Sequence, residues 1–275
     1  MRKKSVVVSS VLLNTFVASR EPKLDIQIID NEDACEHQHW LGRKARQSPP
    51  GCDPEVFFFL AMNRTAFLID GFNLYHSVKS ASQDLGLQGA GTKWLDIHSL
   101  CRSYLHAIGN NAQVTGVFYF SALARHIEAF KPDVVKRHLR YTESLQATGV
   151  SVVLSRFKKK QILCDHCGQK IKRYEEKETD VALAVKLMEI LITDQCDTAM
   201  LMTGDTDIVP AVRTAQSLFP QKTIGFLLPY KRHNQELAKL ASLHIEIKKE
   251  AYTRHQFPDP FITPTGKSLN KPATW

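Results

Sequence analysis

Long hydrophobic runs are missing from this chain of 275 residues. Nowhere does an apolar stretch approach the ~20 residues that a membrane-spanning helix requires. Cysteine is scarce: six in a chain of this length do not make a disulfide scaffold. No internal repeat is visible. With 43% apolar and 23% charged residues the composition is near the globular average, which excludes wholesale disorder and collagen-like repeats. The length suits one large domain or two small ones, at ~100–200 residues each.

Charge of one sign is also missing from part of the chain. Residues 1–61 carry eight basic and eight acidic side chains, so the whole net charge of +8 belongs to residues 62–275. A basic excess suits a polyanionic partner. The first sixty residues show no sustained period of 2 or 3.6. Arg2-Lys3-Lys4 and the apolar stretch from Val6 to Ala18 resemble a secretory leader, but Ser9, Ser10, Asn14 and Thr15 interrupt it. The preferred expectation is that Met62 is the natural start and that residues 1–61 are either a start-site artefact or a poorly ordered extension.

From Thr65 strands and helices alternate. The run Ala66-Phe67-Leu68-Ile69 predicts a strand covered on both faces. Further strands are expected at Val114–Phe120, Val150–Leu154, Thr198–Thr203, Thr223–Leu228 and His244–Ile247. Helices are expected at Leu74–Leu85, Leu95–Ile108, Pro132–Ala147, Glu178–Ile192, Asp207–Leu218 and Gln235–Ala241. Such alternation predicts βαβ units, hence an α/β fold with a mostly parallel sheet and helices on both faces. Residues 62–252 form this domain; residues 253–275, with four prolines, read as a tail.

Reactive groups in such sheets collect at the carboxyl ends of strands. Asp70 follows the first strand directly, while Asp205 and Asp207 follow the fourth. Helix capping alone would account for Asp70 and for Asp207, but not for a second acid at Asp205. Asp180 stands four residues before Ala184, at the head of a stripe through Leu187, Met188 and Leu191. Neutralisation by Lys177 is the plain account of that acid. The sharper one is a divalent cation shared with Asp70, Asp205 and Asp207, because converging carboxylates repel without a cation. All-oxygen donors favour Mg²⁺ or Mn²⁺ over zinc.

The segments Ile69-Asp70-Gly71-Phe72-Asn73, Glu176-Lys177-Glu178-Thr179-Asp180-Val181-Ala182 and Thr203-Gly204-Asp205-Thr206-Asp207-Ile208-Val209-Pro210 resemble the NYN-domain proteins, a branch of the PIN-like metal-dependent ribonucleases. The likeness spans roughly residues 63–250 with all three motifs in order. It implies a Rossmann-like three-layer sandwich and hydrolysis of RNA phosphodiesters by an acidic tetrad of Asp70, Asp180, Asp205 and Asp207. It also implies that Asn73 and Thr203 orient a Mg²⁺ or Mn²⁺ site. The expected partner is RNA, in the cytoplasm and away from membranes; a homodimer is allowed. Competing readings are an RNA-binding module with weak or no catalysis and a haloacid-dehalogenase-type phosphatase. The latter wants Asp-x-Asp after the first strand, where Asp70-Gly71-Phe72 stands instead.

Ahead of Asp180 lies a basic insert. Arg156, Lys158, Lys159, Lys160, Lys170, Lys172 and Arg173, against Asp165, make it a candidate clamp for RNA phosphates, with Lys231 and Arg232 as a second anchor. Within it, Cys164-Asp165-His166-Cys167-Gly168 has the turn of a zinc knuckle, but no second Cys-x-x-Cys completes the four ligands of a closed site. Zn²⁺ at Cys164 and Cys167 is therefore half a signature, and a metal-free hairpin turn is the alternative. Tyr119 and Phe120 are candidates for base stacking or, more simply, core packing.

Overall fold

The computed structural model describes residues 62–87, 91–163 and 169–273. The expected extension at 1–61 and the Cys164–Cys167 turn lie outside these residues. The described chain runs β1 (Asn63–Asp70), α1 (Gly71–Asp84), α2 (Ile97–Ser103), α3 (Leu105–Ile108), β2 (Ala112–Ala122), α4 (Asp133–Ala147) and β3 (Ser151–Leu163). It continues through β4 (Lys170–Lys177), α5 (Thr179–Ile192), β5 (Thr198–Met202), α6 (Val209–Leu218), β6 (Thr223–Leu228), α7 (Gln235–Leu240), β7 (His244–Glu246) and α8 (Lys249–Arg254). A short pair, β8 (Phe261–Ile262) and β9 (Ser268–Leu269), closes it.

Seven strands form one sheet in the order β4-β3-β2-β1-β5-β6-β7. Every pairing is parallel except β3 with β4. The expected α/β architecture is thus present, with β4 as an antiparallel edge. The chain winds outward from β1 in one direction through β2 and β3, then returns to β5 on the other side of β1. The β1–β5 boundary is therefore the topological switch point, where open α/β sheets bind ligands beyond their carboxyl ends.

Two apolar cores cover the sheet. One gathers Phe67, Ile69, Leu74, Trp94, Tyr141 and Tyr252; the other gathers Leu68, Leu183, Leu187, Leu201, Val212 and Phe226. Alternate residues of β1 serve the two faces, which is why its sequence is a continuous apolar run. Tyr119 and Phe120 are both buried, so they pack the core and do not stack bases.

The amino edge is tied by polar contacts. Asp197 accepts the Arg64 backbone N–H and Nε–H, both at 3.0 Å, and an Nη2–H at 2.8 Å. Lys222 joins Asp194 and Asp197, so the starts of β1, β5 and β6 share one ion-pair network. The Arg64 and Lys222 partners hold the Asp197 carboxyl well below the usual carboxylate range.

Three expectations need correction. The helix expected over Leu95–Ile108 is two short helices broken at Tyr104, both packed on the same core, the first through Ile97, Leu100 and Cys101 and the second through Leu105 and Ile108. The strand expected to stop at Leu154 continues to Leu163, since β4 supplies backbone partners from Arg156 onward. The stretch after residue 252 is no loose tail. Trp94 Nε1–H donates to the Pro258 carbonyl at 3.1 Å, and Phe257 and Leu269 are buried against the core. Proline content had suggested a tail, but two apolar anchors hold it. Leu269→Ala is therefore expected to cost ~2–5 kcal/mol in a denaturant melt, the range for a buried leucine. A change under ~0.5 kcal/mol, typical of a surface substitution, would contradict this packing.

Candidate active site

The buried carboxylate of Asp70 stands at the end of β1, 3% exposed. One oxygen accepts the Phe72 and Asn73 backbone N–H groups at 3.0 Å, so Asp70 caps α1 as expected. The other accepts Asn73 Nδ2–H at 2.5 Å and the Thr203 hydroxyl at 3.0 Å. Ile69 of β1 is in register with Met202 of β5, which brings Thr203 beside Asp70 across the switch point. Thr203 Oγ1 in turn accepts the Asp205 backbone N–H at 3.1 Å. A continuous hydrogen-bond chain thus runs from Asn73 through Asp70 and Thr203 to Asp205.

Asp205, rather than Asp207, acts as the cap. It accepts the Asp207 backbone N–H at 3.1 Å and starts the 3₁₀ turn Thr206–Ile208. This corrects the capping role considered for Asp207, whose carboxylate makes no hydrogen bond or ion pair among the described residues. Pro210 fits the first turn of α6, where a missing N–H is harmless.

Asp180 also lies off the line expected for it. The buried side of α5 runs through Thr179, Leu183, Leu187, Ile190 and Leu191, which leaves Asp180 at the rim and solvent-exposed. The neutralising lysine proposed for it is elsewhere: Lys177 pairs with Glu175 at 3.1 Å. Partial desolvation raises the Asp180 carboxyl above its ordinary range, and the charges of Asp70, Asp205 and Asp207 raise it further. The four acids therefore share one electrostatic neighbourhood at the carboxyl edge.

A fifth carboxylate, Glu176, was not singled out from the sequence. It is half-buried and accepts the Thr179 hydroxyl at 2.6 Å. Burial raises its carboxyl, with Asp70 and Asp180 adding to the effect. Its signal was adjacency: on β4, Glu175 and Glu176 point to opposite faces, and one must face the acids. His76 on α1 was also passed over. Burial and the cations Arg232 and Lys79 push its imidazole down, toward the neutral form at pH 7.

Carboxylate oxygens without nitrogen or sulfur suit Mg²⁺ or Mn²⁺, so the donor set fits the expected cofactor. Its spacing is wider than a ligand shell: among the described residues no group of three or more His, Cys, Asp or Glu could hold a metal ion as placed. Among the described residues no further cysteine offers itself to zinc. Cys101 and Cys196 are buried free thiols in the two cores, and burial pushes Cys196 up to about 11.

The basic insert is an antiparallel hairpin with much of its charge already paired. Arg156 and Lys158 both contact Glu178, at 2.8 and 3.1 Å, and Lys160 contacts Glu175 at 2.9 Å. Counting charge only as far as Arg173 missed these two partners, Glu175 and Glu178. Lys159 and Lys170 carry no ion pair among the described residues. Of the second anchor, Lys231 is paired with Asp84 at 2.5 Å. Arg232 is packed on Gly204, where an added Cβ would lie 2.9 Å from the Arg232 Cβ. That contact, open only to glycine, brings Arg232 to the turn carrying Asp205.

The NYN domain family matches residues 64–248, and the chain belongs to it. NYN domains are generally nuclease-like and act on RNA. The 6-hydroxy-3-succinoylpyridine 3-monooxygenase of Pseudomonas putida is 25% identical over 245 residues, covering 77% of this chain and 75% of that protein. A Vibrio parahaemolyticus protein of unknown function, known from a crystal structure, is 17% identical. The match covers 68% of this chain and 94% of that one, with a TM-score of 0.42. No helix among the described residues is long and apolar enough to cross a membrane.

The crowding of the acids gives a signed prediction. A carboxyl whose native pKa is raised costs stability once the pH exceeds the unfolded value of ~3.9, and costs nothing below it. Asp180→Asn is expected to leave stability unchanged near pH ~3 and to increase it at pH 7. Urea melts at both values check this; equal changes at both would dissociate Asp180 from the other acids.

Proposed function

We propose that this protein is a metal-dependent endoribonuclease. The observation that carries the reading is the hydrogen-bond chain joining Asp70, Thr203 and Asp205 across the switch point, with Asp180 and Asp207 unneutralised beside it. So many carboxylates at the carboxyl edge, unpaired with lysine or arginine among the described residues, make sense if a cation arrives with the substrate.

Asp70, Asp180, Asp205 and Asp207 would hold Mg²⁺ or Mn²⁺. Such an ion, when bound, supplies Lewis-acid polarisation of the scissile phosphate and an acidified water. Asn73 and Thr203 hold the Asp70 carboxylate from one side and leave it no freedom to rotate. Asp207, whose carboxylate makes no hydrogen bond among the described residues, would orient a water or accept its proton. Lys159, Lys170 and Arg232, none of them in an ion pair among the described residues, would offer cations to flanking phosphates, Lys170 from the far end of the hairpin. Lys172 and Arg173 belong to the same hairpin. Tyr174 on β4, 42% exposed and stacked on His126 at 4.4 Å, offers an aromatic face for a base.

A second reading, an RNA-binding protein with little catalysis, is favoured by the wide spacing of the acids. A labelled RNA pool incubated with Mn²⁺ distinguishes the two. Cleavage is expected with Mn²⁺ and lost with EDTA, and Asp205→Asn should reduce it by at least ~10²-fold, in keeping with losses on removing an electrostatic catalytic group. Retained RNA binding with no cleavage by the unaltered protein would favour the second reading.

The pairing within the hairpin makes a further distinction. Lys159→Gln is expected to weaken binding of all RNAs alike and to flatten the salt dependence by ~0.7, the value for one single-strand phosphate contact. Lys158→Gln and Lys160→Gln should flatten it less, because Glu178 and Glu175 already share those charges. Binding isotherms at several salt concentrations check the ranking.

A further inference from the structure

A cavity of about 300 Å³ opens beside the acids, on the opposite face of the sheet from α5. It begins at Gly71 and Phe72, the first residues after Asp70, and runs between α1, the end of β2 and α4. Its walls carry the aromatic rings of Phe72, Tyr75, Tyr119, Tyr141 and Phe157. Phe72 and Tyr75 are 48% and 50% exposed, an unusual setting for two large rings on one helix. The cavity's charged lining is entirely basic, Lys93 and Arg137, and no Asp or Glu lines it.

Lys93 is half-buried and has no hydrogen bond or ion pair among the described residues. Burial lowers the pKa of its ammonium, and the neighbouring charges of Arg137 and Lys79 lower it further. A cation desolvated next to other cations is unfavourable unless an anion joins it. His138 lines the same space, and burial lowers its pKa, toward a neutral ring. It lies 3.4 Å from the Ser121 hydroxyl, so the pair adds neutral polar atoms to the wall.

We propose that this cavity binds a single-ring aromatic carboxylate, its charge toward Lys93 and Arg137 and its ring against the tyrosine and phenylalanine walls. Size selects this class. Ligand cavities span ~300–1,000 Å³, and the lower limit suits one ring with a short acidic arm better than base, sugar and phosphate together. Charge selects it too, since a neutral base would leave Lys93 without a counter-ion. The site stands apart from the nuclease reading: none of its charged residues belongs to the acidic set, and it can be tested without RNA.

Calorimetric titration of the full chain with benzoate and nicotinate, against benzamide and nicotinamide as neutral controls, tests the assignment. The carboxylates are expected to bind about tenfold or more tighter than their amides, the usual scale for one charge-assisted contact. Lys93→Gln should remove that preference while the melting temperature without ligand stays unchanged. Ala124→Leu, at a partly exposed lining position, should weaken acid and amide alike by filling the space. Equal affinity for acids and amides, or no heat with any probe up to ~10 mM, overturns the proposal. Tighter binding of inorganic phosphate or uridine monophosphate, abolished by Lys93→Gln, also overturns it and assigns the cations to RNA phosphates.

Discussion

The burial of the Asp70 carboxylate is the constraint on which the rest of the site depends. A charge 3% exposed at the end of the central strand is stable only if both of its oxygens are hydrogen-bonded. Four donors do this, and they come from three places: the α1 backbone, the Asn73 side chain and the Thr203 hydroxyl of the neighbouring strand end. Satisfying one acid therefore fixes the start of α1 and the β1–β5 register. It also fixes the turn that carries Asp205. Loss of the Thr203 hydroxyl would leave a buried acceptor under-satisfied and the turn unanchored together.

The two edges of the sheet handle charge in opposite ways. At the amino edge, Arg64, Lys222, Asp194 and Asp197 neutralise one another where β1, β5 and β6 begin. At the carboxyl edge Asp180, Asp205, Asp207 and Glu176 are gathered with no lysine or arginine paired to them among the described residues. Electrostatic repulsion is thus tolerated only at the edge where parallel sheets bind ligands. Paired charge ties one edge, and acids without a basic partner among the described residues gather at the other.

Much of this was legible in residues. Continuous apolar runs marked strands buried on both faces, and aspartates directly after two of them marked the site, because strand ends and side-chain order are local facts. Asp180 was placed on the buried line because Ala184 and Met188 looked equivalent to Leu183 and Ile190. Nearly every position of α5 is apolar, so its sequence does not tell the sheet-facing stripe from its neighbour. The partners of Arg156, Lys158 and Lys160 were hidden because strand register, not sequence distance, sets Lys158 opposite Glu175 and Arg156 opposite Lys177. The cavity had no signal at all, since its wall draws on α1, β2, β3 and α4. The buried tail was obscured by prolines that occupy turns between Phe257 and Leu269.

The hairpin links charge to geometry in a way that neither a pure clamp nor a pure scaffold does. Glu178 sits at the N-cap of α5 in the left-handed region, φ 79°, a conformation that costs a non-glycine residue of order 1 kcal/mol. Arg156 and Lys158, projecting from β3, hold its carboxylate. They therefore help keep the turn from β4 into α5, and with it the position of Asp180 two residues on. These surface pairs contribute little to global stability, since solvent and salt screen exposed ion pairs. Their value is local: a small change at Glu178 moves the start of a helix whose second residue is an acid of the site. Basic residues that hold Asp180 in place could not at the same time be fully available to RNA, so on the proposed reading phosphate binding would fall chiefly to Lys159, Lys170 and Arg232. A phosphate that competed with Glu178 for Arg156 would loosen that turn, and binding at the hairpin would then be felt at Asp180.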